Sequence, residues 1–292
     1  MTVRPRRSVL YMPGSNARAL EKARKLPADG LILDLEDAVA PEAKSGAREQ
    51  VVAAVKAKGF GGREVVVRVN GLDTPWGKDD LAAAVLAHPD AILVPKVSSA
   101  EELIFVGHRL VDLSAPPGIS VWAMIETARA ILDAGLIAAE ARDPLAVLDV
   151  FVLGTNDLAK EARMRIVPGR QPMQAALATV VLAGHAYGLD VIDGVYNDID
   201  DAEGFARECR EARDMGFDGK TLIHPSQIEP CNRAFTPSAV EVAEASKIVA
   251  AFDRPENRDK GVIALDGRMV ERMHAESARR TLALAAAAER GG

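Results

Sequence analysis

Glu126 and Asp157 are the two acidic side chains whose setting in this 292-residue sequence speaks most directly of chemistry. Glu126 closes the apolar run that starts at Trp122, and Asp157 follows a run that ends in Leu153-Gly154-Thr155-Asn156. If the two runs are adjacent parallel strands, two carboxylates meet at one end of a sheet. Paired hard oxygen donors with room left for water and substrate oxygens suit Mg2+. The plainer alternative has Asp157 capping a helix and Glu126 pairing with an arginine. A second acidic cluster lies in Leu33-Asp34-Leu35-Glu36-Asp37-Ala38-Val39-Ala40-Pro41. Strand alternation sends Asp34 and Glu36 to one side. Glu36 or Asp37 could then hold metal-bound water or orient a basic group, although carboxylates so placed also cap a following helix.

The basic candidates complement these acids. Arg68 sits inside Val65-Val66-Val67-Arg68-Val69, where a charge is costly unless it finds an anion. A guanidinium there would bind a substrate carboxylate or stabilise an enolate, or form a buried salt bridge to Glu36 or Asp34 that could coexist with catalysis. Lys96 and Lys220 each follow or sit in an apolar run, so a Schiff base is one reading and a phosphate or carboxylate contact the blander one. Near the start, Tyr11-Met12-Pro13-Gly14-Ser15 leads through a turn to Arg18, a strand-turn-helix start that could hold a phosphate or be simple geometry.

Positioning all of these requires a common frame. Apolar runs at residues 8–12, 30–35, 64–69, 91–97, 119–125, 150–153, 190–192 and 220–223 alternate with helix-like sequence, the pattern of parallel strands covered by helices. Eight such units predict an α/β fold, a (β/α)8 TIM barrel, with its active site at the C-terminal strand ends. Those ends carry Glu36, Asp37, Arg68, Lys96, Glu126, Asp157, Asp193 and His224. Predicted helices include 16–25, with Ser15 able to cap it, 41–58 and 171–187. The connection 158–170 carries Lys160, Arg163, Arg165 and Arg170, fit either for a phosphorylated substrate or for water. The expected domains are a catalytic barrel at 1–233 and a C-terminal helical extension at 234–292 reaching a neighbouring subunit. The extension reads as a helix from Ser238 to Phe252, an extended piece at 262–265 and a second helix at 269–288.

Composition narrows the class. With 48% apolar and 27% charged residues the chain can bury a large core, and a net charge of -6 without a basic stripe argues against nucleic acid. No run has the length of a signal-peptide core or a membrane span, so a cytoplasmic location without membrane partners is expected. Two cysteines without C-x-x-C spacing and five scattered histidines give no zinc pattern.

Taken in order, Arg7-Ser8-Val9-Leu10-Tyr11-Met12-Pro13-Gly14, the acidic run 33–41, Val67-Arg68-Val69-Asn70-Gly71, Val94-Pro95-Lys96-Val97, Ile125-Glu126-Thr127, residues 153–158 and Gly219-Lys220-Thr221-Leu222-Ile223-His224-Pro225-Ser226-Gln227 resemble the citrate lyase beta subunit-like branch of the HpcH/HpaI aldolase family. The resemblance implies a Mg2+-dependent barrel, a homotrimer or dimer of trimers, acting on an acyl-CoA. It maps the metal to Glu126 and Asp157, and substrate binding to Arg68, with Glu126, Arg18 and Lys96 as further candidates. Leu265-Asp266-Gly267 resembles a segment in which some members carry a catalytic Asp delivered to a neighbouring barrel; a turn is the plainer reading. The expected reaction is retro-Claisen cleavage of a 3-hydroxy-carboxyacyl-CoA such as (3S)-malyl-CoA or citramalyl-CoA into acetyl-CoA and a 2-oxo acid. In it Arg68 steadies the enolate, Asp266 exchanges a proton with its carbon, and Glu36 and Asp37 assist. The alternatives are hydrolysis of the same thioester, as by a (3S)-malyl-CoA thioesterase, and a citrate lyase beta subunit acting on an acyl carrier protein.

Overall fold

The computed structural model describes residues 4–290, which pack as two units, one of residues 6–232 and one of residues 233–290 with Arg4 and Pro5. In the larger unit eight parallel strands close in chain order into a barrel: β1 (Ser8–Pro13), β2 (Gly30–Asp34), β3 (Glu64–Arg68), β4 (Ala91–Val94), β5 (Ser120–Ile125), β6 (Leu148–Leu153), β7 (Asp190–Asp193) and β8 (Gly219–Leu222). Each run expected to be a strand is one, with shifted ends. β4 stops at Val94 because Pro95 has no N–H to offer and Lys96 turns to a φ of 54°.

Helices follow the strands: α1 (Ala17–Ala23), α2 (Lys44–Ala57), α3 (Gly77–Ala87), α4 (Ala100–Asp112), α5 (Ala128–Leu132), α6 (Ala134–Ala139), α7 (Thr155–Glu161), α8 (Gln174–Ala186), α9 (Ala202–Met215) and α10 (Ile228–Phe235). Asn16 caps α1, not Ser15, because its side-chain oxygen accepts from the Ala19 N–H. Pro41 opens a single 3-10 turn before α2.

Strand parity decides which side chains enter the barrel. Val9, Ile32, Val66, Leu93, Trp122, Val150 and Ile192 form one apolar cluster inside it. Two residues further along, the same inward parity reaches Tyr11, Asp34, Arg68 and Met124. The apolar layer is therefore the floor of a polar mouth. Asp193 follows the inward Ile192 and so points outward, as does its cross-strand partner Lys220. This corrects the expectation that Asp193 belongs to the active end.

In the smaller unit Ser238 and Glu241 form a reciprocal capping box at the start of α11 (Ala239–Asp253). β9 (Val262–Leu265) pairs antiparallel with β10 (Arg268–Glu271), and α12 (Arg272–Arg290) follows. Ala251, Phe252, Ile263 and Ala275 make the unit's core. Met269 lies in β10, so the last helix starts later than expected. Its apolar neighbour Val270 packs as a strand residue against that core, which a helix-period reading mistook for a first turn. Asp266 and Gly267, at φ of 51° and 76°, make the tight turn of this hairpin.

Candidate active site

Arg68 is the centre of the barrel mouth. Its Nε and Nη2 donate to the two oxygens of Asp34 at 2.6 and 2.7 Å, a two-armed contact across the β2–β3 pair. Nη1 lies 2.9 Å from Glu36 Oε2 and 3.3 Å from Asp37 Oδ2. The Tyr11 ring lies beneath the guanidinium, 4.9 Å from ring centroid to Cζ. Burial opposes the charge on Arg68, but Asp34, Tyr11 and Glu36 outweigh it and hold the group well above its ordinary value. The buried salt bridge foreseen as an alternative is present, to Asp34 and Glu36 together. Of its acidic partners only Asp37 is largely exposed, so that contact is the one an incoming anion can replace at least cost.

Glu126 lies at the end of β5, 1% exposed. Its Oε1 accepts the Lys96 backbone N–H at 2.9 Å, while Oε2 is buried without a hydrogen-bond partner. Burial, then the charges of Glu36 and Asp157, push its carboxyl up to about 8. Gly154 makes the arrangement possible, since a Cβ there would come within 2.2 Å of Glu126 Oε2. Asp157, half-buried in the first turn of α7, lines a cavity of about 300 Å3 together with Tyr11, Asp34, Asp37, Arg68 and Met124. Among the described residues no three His, Cys, Asp or Glu side chains converge as a ready-made metal cage. A buried, unpartnered carboxylate oxygen beside a second carboxylate on an open wall nevertheless fits a Mg2+ ion that keeps most of its positions for water and substrate.

The other candidates fall in different places. Lys96 reaches Glu36 Oε1 at 3.0 Å; burial opposes its charge but Glu36 outweighs it, so the ammonium is held above its ordinary value. A protonated amine is no nucleophile, which argues against a Schiff base there. Lys220 is fully buried on the outer side of the barrel, bonded to Asp193 and Glu208 at 2.7 Å each, which removes it from Schiff-base chemistry at the mouth. Arg170 joins this network, 2.7 Å from Asp193, and is not a rim charge. Lys160, Arg163 and Arg165 are exposed. Arg18 is exposed on α1 and makes none of the contacts at Arg68 or Glu126. His224 spends its Nδ1 on the Ser226 N–H and hydroxyl. In the smaller unit Asp266 is exposed at its turn, 3.6 Å from Lys247.

Three contributors escaped the sequence reading. Tyr11 was quoted only as part of a motif, yet its ring carries Arg68 and its hydroxyl is buried without a partner. Lys44 drives its ammonium inward onto the carbonyls of Leu35 and Glu36 and onto Asn70 Oδ1, at 2.7 to 2.8 Å. Asn70 in turn donates to Asp80. Gly154 gives up a side chain so that Glu126 can lie against it. Lysine is so rarely buried that only its place three residues after Pro41, at a helix start beneath the acidic run, could have signalled Lys44.

Fold and site together define a (β/α)8 barrel with a carboxylate-rich, arginine-centred pocket at its C-terminal strand ends. Residues 7–225 match the family model described as HpcH/HpaI aldolase/citrate lyase. The (3S)-malyl-CoA thioesterase of Cereibacter sphaeroides is 50% identical over 283 residues, covering 97% of this chain and 95% of that protein. The citrate lyase subunit beta of Escherichia coli is 32% identical, covering 92% and 89%. The crystal structure of CitE from Mycobacterium tuberculosis, in complex with magnesium, acetoacetate and coenzyme A, superposes with a TM-score of 0.77 at 30% identity, over 98% of this chain and 100% of that one. The chain belongs to the HpcH/HpaI aldolase/citrate lyase family.

Proposed function

We propose that this chain is a Mg2+-dependent enzyme acting on (3S)-malyl-CoA or a closely related 3-hydroxy-carboxyacyl-CoA, and that it hydrolyses the thioester. The observation that carries the reading is the buried, unpartnered Glu126 Oε2 packed against Gly154, with Gly154, Asp157 and Arg68 lining the adjoining cavity. Glu126 and Asp157 would hold the ion, in keeping with the magnesium in the M. tuberculosis relative. When bound, Mg2+ supplies a chelating centre and Lewis acidity for the carboxylate and hydroxyl oxygens of the acyl group.

The remaining work falls to the chain's own side chains. Arg68, locked by Asp34 and backed by Tyr11, exchanges its contact with exposed Asp37 for the thioester carbonyl oxygen as negative charge gathers there. Water adds to the carbonyl carbon, the C–S bond breaks, and the proton lost by water ends on the departing thiolate. In our reading Asp266 carries that proton, delivered from a neighbouring subunit of a homotrimer or dimer of trimers. Glu36 holds Arg68 and Lys96 in register from between them.

Carbon–carbon cleavage is the second reading, and the rigid two-armed hold of Asp34 on Arg68 favours it, because a fixed guanidinium also suits an enolate oxygen. Here the substrate hydroxyl gives its proton to solvent, the bond between the hydroxyl-bearing carbon and its neighbour breaks to leave a 2-oxo acid and a thioester enolate, and Asp266 returns one proton to the enolate carbon. The 50% identity to a thioesterase, against 32% to a citrate lyase subunit, puts hydrolysis first. Incubating the purified chain with Mg2+ and (3S)-malyl-CoA separates them: malate plus free CoA for hydrolysis, glyoxylate plus acetyl-CoA for cleavage. Absence of both sets of products would contradict the proposal, and glyoxylate plus acetyl-CoA alone would replace hydrolysis with cleavage.

A further inference from the structure

The ring of Tyr11 is accounted for by its packing; its hydroxyl is not. The ring rests on the apolar floor of the barrel and lies beneath the Arg68 guanidinium. A phenylalanine would serve both contacts, because the attraction to a cation comes from the face of the ring. The hydroxyl, by contrast, is buried without a hydrogen-bond partner. Burying a polar group unpaired is costly, and such a group in a binding cavity points to a ligand that pairs it.

Position and charge identify the partner. Tyr11 has the inward parity of Val9 and lines the same cavity as Asp34, Arg68, Gly154 and Asp157. Burial pushes the phenol up, Arg68 pulls it back, and Asp34, Glu126 and Glu36 add to the rise. At neutral pH the group therefore keeps its proton and offers it to an acceptor. The neighbouring carboxylate oxygens are engaged elsewhere: Asp34 accepts from Arg68 with both of its oxygens, Glu36 pairs with Arg68 and Lys96, and Glu126 Oε1 accepts the Lys96 N–H. Glu126 Oε2 is the atom assigned above to Mg2+. An acceptor for Tyr11 thus comes from the substrate, on the side where Arg68 meets it.

We propose that the Tyr11 hydroxyl is a second donor, beside Arg68, to the thioester carbonyl oxygen, and so a further catalytic residue. This rests on the reading of the chain as an enzyme of 3-hydroxy-carboxyacyl-CoA, and it applies to hydrolysis and to cleavage alike. No proton leaves Tyr11. Negative charge gathers on the carbonyl oxygen as water adds or as the enolate forms, the phenol and the guanidinium share it, and the C=O bond returns when the C–S bond breaks or the enolate carbon is protonated. The floor below and Arg68 above hold the ring in place, so the donor is set before the charge develops, the condition under which such donors contribute most.

Tyr11→Phe removes the hydroxyl and keeps the ring. With the full chain, Mg2+ and (3S)-malyl-CoA, kcat should fall by about a hundredfold while KM stays within about threefold, the signature of a contact made in the transition state and not in the ground state. Urea unfolding in EDTA should find the variant as stable as the wild type or more so, because the hydroxyl it lacks was unpaired, and its calorimetric affinity for Mg2+ should be unchanged. A fall in kcat of less than about tenfold, or one accompanied by lower stability or weaker Mg2+ binding, would overturn the proposal and leave the functional reading standing. So would a higher KM at unchanged kcat, which marks a ground-state contact. Absence of malyl-CoA turnover in the wild type would remove both.

Discussion

Glu126→Gln should make the metal-free protein more stable at neutral and mildly alkaline pH. A carboxyl moved from 4.5 to about 8 by burial and by the charges of Glu36 and Asp157 keeps its proton in the folded state after the unfolded chain has lost it. Between those values the folded state binds more protons, so stability falls as pH rises from about 4.5 and levels off above about 8. At 1.36 kcal/mol per pH unit the full loss is about 5 kcal/mol, of which about 3 kcal/mol is felt at pH 7. Glutamine keeps the amide-sized shape without a titrating proton, so the variant lacks this slope. Urea unfolding in EDTA, followed at about pH 5, 6, 7 and 8, gives the comparison; the wild type should lose ground to Glu126→Gln steadily across the series. Since every other carboxylate titrates in both proteins, the difference isolates Glu126. Parallel stability profiles would refute the claim that this carboxyl is held protonated in the metal-free protein.

Other consequences follow from the same contacts. Arg68→Lys keeps the charge but loses the two-armed contact with Asp34, so turnover should drop by about a hundredfold or more while thermal unfolding shows a loss of about 2 kcal/mol; unchanged turnover per folded molecule would make Arg68 purely structural. Lys44→Met takes the ammonium from Asn70 Oδ1, while the Leu35 and Glu36 carbonyls keep the Asn70 Nδ2 and Val39 N–H donors; at about 1 to 3 kcal/mol for the one unmet group it should lower both the melting temperature and kcat. A stable, fully active variant would show that the acidic run holds its shape without it. Mixing subunits of Asp266→Asn with subunits of Glu126→Gln, each inactive alone, should restore partial activity if Asp266 works on a neighbouring barrel; no recovery despite proven subunit exchange would exclude that.

The barrel was legible because β-rich runs alternate with helix-like sequence at every unit, and because inward parity is readable once one inward residue is known. Arg68, Asp34 and Glu36 were legible for the same reason: charges inside apolar strands must find one another. Asp193 misled because it ends a short strand whose parity cannot be read from three residues, and its outward partners Lys220, Arg170 and Glu208 lie far off in sequence. Lys44 was hidden by the ordinary expectation that lysine faces water, and the partner strand of the small hairpin by a four-residue length that fits a helical turn equally well.

The central claim is that Glu126 and Asp157 together hold Mg2+, and calorimetric titration of Mg2+ into the wild type, Glu126→Gln and Asp157→Asn tests it most directly. Saturable binding by the wild type, strengthening with rising pH as the ion displaces the Glu126 proton, and loss of that binding in each folded variant is the result the account predicts. Equal Mg2+ affinity in all three proteins, or malyl-CoA turnover that persists in EDTA, would contradict it.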